Sequence, residues 1–271
     1  MRNHKTISPF GQRGRLLARI VYIAVFFLFA ALSLPAASEE VSLLIASASD
    51  LSFALKEISG QFENRTGIKA VISFGSTGNL AHQIENNAPF DLFFSADVKH
   101  IERLEAKGLI LPETKTLYAS GRLVLAANKK NAIDVRSLED LLKPEVKNIA
   151  IANPEHAPYG LAAKEALTKA GVWEKVKHKL VYAENIRTAL KYIQTGDAEA
   201  GIIALSIADV PEAAYTPIDE GLHSPITQAA AVVKNSAHKN EAAAFIRYVS
   251  GPEGWEILKK YGFTRNVSIP K

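Results

Sequence analysis

The stretch "LLIASASDLSFALKEI", residues 43–58, decides the architecture. Its apolar run breaks at Ser47, Ser49 and Asp50, after which Leu51, Ala54, Leu55, Ile58 and Phe62 recur at helical spacing. A strand therefore passes into a helix through a short polar loop. The same succession returns at 71–84 ("VISFGSTGNLAHQI"), at 151–167 ("IANPEHAPYGLAAKEAL") and at 180–190 ("LVYAENIRTAL"). Short apolar runs alternating with amphipathic stretches are the pattern of an α/β protein with mostly parallel sheets.

The chain splits this pattern into two series. Residues 41–46, 70–73 and 91–95 read as strands, each followed by a helix. From Gly121 the register changes, with one longer strand at 121–128, a second strand–helix series to about His223, and another long strand at 226–235. The amphipathic stretches "NEAAAFIRYVSG" and "EGWEILKKYGF" find few partners in the middle series and are assigned back to the first. The expected architecture is α/β with two similar lobes, each a mostly parallel sheet flanked by helices, joined by two crossing strands with a ligand cleft between them. Lobe 1 is expected over 39–121 plus 229–271, and lobe 2 over 122–228.

Residues 1–38 are read separately. Arg2, Lys5, Arg13, Arg15 and Arg19 precede an apolar run at 20–34, and Pro35, Ala36, Ala37 and Ser38 supply small residues at a cleavage point, which is an export signal. The run is too short for a comfortable membrane span. This segment holds five of the 32 Lys and Arg and none of the 28 Asp and Glu, leaving 27 against 28 beyond it. The basic character thus belongs to the targeting segment, and no basic run supports nucleic-acid binding. Cysteine is absent, which excludes disulfides, thiolate metal sites and lipidation behind the signal. A soluble periplasmic protein is expected.

All four polar loops lie at the carboxyl ends of strands, the edge at which open parallel sheets bind ligands. The first N–H groups of each following helix lack intrahelical partners and carry partial positive charge, so several such ends facing one cleft make an anion site. Ser49 and Asp50 stand before the first helix, Ser76 and Thr77 before the second, Tyr159 at the third and Ile186, after Asn185, at the fourth. Gly75 and Gly78 let the "FGSTG" backbone come close to a ligand. Lysine and arginine are missing from these loops. Taken singly, Ser, Thr, Asp and Asn before helices are ordinary N-caps; four loops, two in each lobe, are harder to explain so. Spacing alone leaves the ligand open among oxyanions, amino acids and sugars.

The segments "ASASDLSFALKEISGQF", "FGSTGNLAHQIENNAPFDLFFSAD", "NPEHAPYGLAAKEAL", "AENIRTAL" and "GPEGWEILKKYGFT" resemble, in order, the molybdate-binding proteins of bacterial ABC uptake systems, two-lobed periplasmic binding proteins. The resemblance implies a protein that is not an enzyme, uses no cofactor, binds molybdate or tungstate, passes it to a membrane permease and works as a monomer. It places ligand contacts on Ser49 and Asp50, on Thr77 with Ser76 adjacent, on Tyr159, and on the Ile186 backbone amide, with no protein atom bonded directly to the metal. A fifth position, tyrosine in some members, falls on Ala204, and Tyr159 is read as supplying the relocated hydroxyl.

Asp50 is awkward beside a dianion. It is expected to cap its helix through the amides of Ser52 or Phe53 and to turn its own N–H toward the cleft. The rival is a phosphate site in which Asp50 takes the ligand proton, or a site for sulfate. A serine hydrolase built on Ser49 or Ser76 with His82 or His156 lacks the G-x-S-x-G turn. The two histidines show no metal-ligand spacing and are expected to be surface or loop residues.

Overall fold

The computed structural model describes residues 41–131 and 133–265; the export signal read at 1–38 lies outside them. Among the described residues the strands are β1 (Ser42–Ala48), β2 (Lys69–Gly75), β3 (Leu92–Ser95), β4 (Thr116–Gly121), β5 (Leu123–Asn128), β6 (Ile149–Ala152), β7 (Leu180–Ala183), β8 (Ala200–Ala204), β9 (Ala213–Pro217) and β10 (Ile226–Val232). They form two five-stranded sheets, ordered β2-β1-β3-β10-β4 and β7-β6-β8-β5-β9. β1 pairs parallel with β2 and β3, as β6 does with β7 and β8. β10 and β5 each run antiparallel to both neighbours, so each sheet carries one reversed strand.

The first sheet is covered on both faces, because side chains alternate along a strand. Leu43, Ile45 and Phe94 pack with Leu55, Ile58 and Phe62 of helix α1 (Ser52–Thr66). Ala46 and Phe93 face the other way, toward Leu80 and Ile84 of α2 (Thr77–Glu85) and Ile101 and Leu104 of α3 (Val98–Ala106). α1 ends where the chain needs a left-handed residue, supplied by Gly67 at φ 73°. The second sheet has its own core, in which Ile149, Ile151 and Ile202 meet Ala163 and Leu167 of α4 (Pro158–Lys169), Val176 of α5 (Trp173–Val176) and Leu190 and Ile193 of α6 (Ile186–Thr195).

Helices α7 (Lys239–Ser250) and α8 (Pro252–Lys260) return to the first lobe, where Phe245, Val249 and Leu258 join the Leu43 and Ile45 core. Two details differ from the sequence reading. The strand expected at 121–128 holds all of β5 and only the last residue of β4, Gly121, which lies in the other sheet, with Arg122 crossing between them. β10 pairs in the first sheet along its whole length, starting with Ile226 opposite Gly121, so Ile226, Thr227 and Gln228, expected in lobe 2, belong to the first sheet. Strand β4, which the sequence reading passed over, provides the ladder partner that draws them there.

Candidate functional site

Each ligand-contact residue expected from the sequence is buried: Ser49, Asp50, Ser76, Thr77, Tyr159 and Ile186 are all less than 5% exposed. They are also brought together, because the four polar loops are tied to one another. Ser49 Oγ donates to the Gly75 carbonyl at 3.0 Å, joining the first loop to the second. Across the lobes, Gly78 N–H donates to the His156 carbonyl at 2.8 Å and Ser76 Oγ lies 2.9 Å from His156 Nδ1. Asn79 Nδ2 donates to Glu184 Oε1 at 3.2 Å, reaching the fourth loop. Ser206, just beyond β8, donates through its hydroxyl to the Asp50 carbonyl at 2.8 Å.

Asp50 is the centre of this arrangement. Its Oδ2 accepts from the Tyr159 hydroxyl at 3.0 Å and from Gln228 Nε2 at 2.6 Å. Gln228 Nε2 also reaches the Tyr159 oxygen at 3.1 Å, and Gln228 Oε1 accepts from the Tyr118 hydroxyl at 2.6 Å. The expected helix cap is not made: α1 has no side-chain cap, and the carboxyl points its accepting oxygen at the other lobe. The physical reason is the choice of donors. Tyr159 and Gln228 offer Asp50 two strong partners deep in the protein, where an unpaired carboxylate is costly.

The other oxygen, Asp50 Oδ1, is buried with no hydrogen-bond partner. Burial drives the Asp50 pKa up from 3.8 to about 6, against the opposing pull of the Gln228 and Tyr159 hydrogen bonds and, more weakly, of the Asp50 and Leu51 backbone amides, which favour the charge without completing a bond to Oδ1. Burial, and then the Asp50 charge, raise the Tyr159 hydroxyl well above its ordinary value, and Tyr118 likewise. The phenols therefore remain donors throughout the physiological range.

The remaining donors divide into committed and free. Ser49 and Tyr159 donate to protein acceptors, and Ser76 is paired with His156. Thr77 Oγ1 accepts from Ala96 N–H at 3.1 Å, which leaves its own proton to give. At α6 the Asn185 carboxamide oxygen takes the Arg187 and Thr188 amides at 3.0 Å each, and the Asn185 carbonyl takes Ala189 N–H. The Ile186 N–H is left at the mouth of the helix without an acceptor among the described residues. Pro158 has no N–H, the first turn of α4 lacks a side-chain cap, and the Tyr159 and Gly160 amides likewise find no acceptor among the described residues.

Two glycines allow this convergence. A Cβ on Gly78 would stand 2.8 Å from the His156 carbonyl oxygen, and one on Gly121 would strike the Tyr159 hydroxyl and come within 2.9 Å of Gln228 Nε2. Gly78, expected to make room for a ligand, makes room for the opposite lobe. Ala204, the departure from the expected pattern, ends β8 two residues before Ser206.

Outside the tied loops, Ser49, Phe53, Asn185, Arg187, Thr188 and Lys191 line an open cavity of about 570 Å³ at the edge of the cleft. A second cavity, about 310 Å³, lies at the opposite edge of the first sheet beside Asp91, whose carboxyl is already satisfied by Leu44 N–H at 2.8 Å and Ser236 Oγ at 2.6 Å. That aspartate holds strands together. Among the described residues no group of three or more His, Asp or Glu could hold a metal ion, and no helix is long and apolar enough to cross a membrane. His82 is exposed and leans on Asn86. His156 lies in a loop, as expected, and there it also bridges the lobes through Ser76 and Gly78.

Gln228, Tyr118, Ser206 and His156 were not found as site residues from sequence. Gln228 left one signal, an amide inside the otherwise apolar run "ITQAAAVV".

Residues 43–264 match the family model described as bacterial extracellular solute-binding protein. The chain belongs to that family. Among its relatives, the molybdate-binding protein ModA of Azotobacter vinelandii is 36% identical over 234 residues, covering 85% of this chain and 92% of the relative. The ModA protein of Rhodobacter capsulatus is 35% identical over 233 residues, covering 86% and 91%. In structure, the Azotobacter vinelandii periplasmic molybdate-binding protein superposes with a TM-score of 0.77 at 33% identity, covering 84% of this chain and all of that one. The family match over residues 43–264 extends across all four tied loops.

Proposed function

We propose that this protein captures molybdate, and tungstate with it, in the cleft between its lobes and delivers the anion to an ABC permease from the periplasm. It acts by binding, without a catalytic step, and as a monomer. The observation that carries the reading is the meeting of four strand-to-helix loops, two from each lobe, with free donors at Thr77 Oγ1 and at the Tyr159, Gly160 and Ile186 amides. The relatives whose names state molybdate binding cover 85% and 86% of this chain.

The site suits an oxyanion carrying no proton. Its donors are neutral dipoles, and the cations Arg187 and Lys191 stand at the rim. Ligand closes the lobes because only the closed form assembles Thr77 from one lobe with the α4 and α6 amides from the other. The closed surface is then what a permease recognises. Rejection of sulfate rests on size, since a bond-length difference on the order of 0.3 Å stretches every hydrogen bond in a fixed cage.

A thermal-shift panel tests this. Ligand that binds only the folded state stabilises it by about 2.7 kcal/mol at a hundred times Kd, so molybdate and tungstate raise the melting temperature by several degrees while sulfate does not. A response to a sugar or an amino acid, with none to molybdate, overturns the reading.

A further inference from the structure

The one carboxyl at the centre of the closed cleft carries an oxygen that nothing in the protein satisfies. Asp50 is 0% exposed, its Oδ2 is held by Tyr159 from one lobe and Gln228 from the other, and its Oδ1 has no partner. Resting on the oxyanion reading above, we propose that Asp50 Oδ1 faces the bound anion and that capture is coupled to uptake of one proton on that oxygen, which then donates a hydrogen bond to the ligand.

The electrostatics leave few alternatives. A charged carboxylate beside a dianion, both out of water, meets no positive charge to offset it; besides the Asp50 and Leu51 backbone amides, which favour the charged form, only neutral side chains donate to Asp50. α4 presents Tyr159, β4 presents Tyr118 and β10 presents Gln228, all neutral donors. On α1, Lys56 is exposed and Glu57 is tied to Lys260 and Tyr261. On α6, Arg187 and Lys191 are exposed at the cavity rim. Beyond β3, Asp97 pairs with His100, and the turn after β8 brings only the Ser206 hydroxyl. His156 lies on the Ser76 side. A proton from solvent is therefore the counter-charge at hand. It binds Oδ1, Oδ2 keeps its two donors, and no covalent bond of the ligand changes. The carboxyl is poised for this in the closed cleft, where burial lifts it to about 6.

Calorimetric titration of molybdate into the purified protein, in pairs of buffers with different ionisation enthalpies, reads the proton directly. Near pH 7.5 the expected uptake is about one proton per anion, and affinity falls by about tenfold per pH unit above the Asp50 pKa. In Asp50→Asn the carboxamide oxygen keeps Tyr159 and Gln228 while the NH2 replaces the protonated oxygen, so uptake drops to near zero and affinity becomes flat with pH. Tyr159→Phe, which removes a bond favouring the charged carboxyl, moves the fall in affinity to higher pH.

Tight molybdate binding by the unaltered protein without proton uptake overturns the inference and leaves the oxyanion reading standing. So does uptake that survives Asp50→Asn and disappears in His156→Gln. No molybdate binding at any pH overturns the oxyanion reading itself. Binding of inorganic phosphate alone, lost in Asp50→Asn, means the carboxylate accepts the ligand's proton and overturns both.

Discussion

The Tyr159 hydroxyl, carried by the second lobe, donates to Asp50 Oδ2, carried by the first, at 3.0 Å, with both side chains sealed from solvent. This bond spans the cleft and exists only when the lobes are together. Gln228 supports it from a crossing strand, and Gly121 at the end of the other β4–β5 crossing lacks a side chain where the tyrosine oxygen arrives. One carboxyl therefore couples the closed geometry to charge.

That carboxyl makes stability depend on pH. Its folded pKa is raised, to about 6 from 3.8, so the native state holds the proton more tightly, and the associated stability is present at low pH and is lost as pH rises from about 4 through 6. Above that window the buried charge costs on the order of 2–4 kcal/mol. Asp50→Asn should therefore raise the melting temperature relative to the unaltered protein at pH 7.5 and show a much smaller advantage at pH 4. Thermal melts across that range check it; an advantage that is constant with pH contradicts it.

Thr77→Val removes the hydroxyl whose proton is free and keeps the side-chain shape. Loss of a charge-assisted donor to a buried anion should weaken molybdate binding by roughly 1–3 kcal/mol. Stability falls by less, about 1 kcal/mol for the Ala96 N–H left unpaired. Calorimetry and denaturant titration separate the two effects.

Gly78→Ala places a methyl 2.8 Å from the backbone oxygen of His156, on the far side of the cleft. The first lobe keeps its packing, but closure is obstructed. Expected outcomes are a tenfold or greater loss of molybdate affinity, on the order of 1.4 kcal/mol, and no compaction by small-angle scattering when ligand is added.

Arg187 and Lys191 flank the cavity at the cleft edge without entering the tied loops. They should attract a dianion at long range. Replacing both with glutamine should slow association severalfold at low salt and leave the dissociation rate nearly unchanged, with the difference vanishing at high ionic strength. Stopped-flow measurements at two salt concentrations decide this.

Much of the architecture was legible because it repeats. Four strand-loop-helix units with polar residues at the turn gave the parallel sheets, and the unmatched amphipathic ends gave the return of α7 and α8 to the first lobe. β4 and β9 escaped because "TLYASG" and "AAYTP" are short and carry small or polar residues, and their strand character comes from ladder partners distant in sequence. The loops of the site were visible for the same local reason as the helices. The roles of Tyr159 and Asp50 were not, because both depend on Gln228 and on each other, residues 109 apart in the chain. A side chain's nearest donor across a cleft is a tertiary fact. Local rules favoured a helix cap for Asp50, and two buried partners outcompeted it.

The central claim, an oxyanion held where the four loops meet, is tested most directly by crystals grown with tungstate and measured at a wavelength where tungsten scatters anomalously. The account predicts one strong anomalous peak within hydrogen-bonding reach of Thr77 Oγ1, the Tyr159 and Ile186 amides and Asp50 Oδ1. A peak in the cavity beside Asp91, at the rim by Arg187 and Lys191 alone, or no peak in the cleft of a protein that has closed, contradicts it.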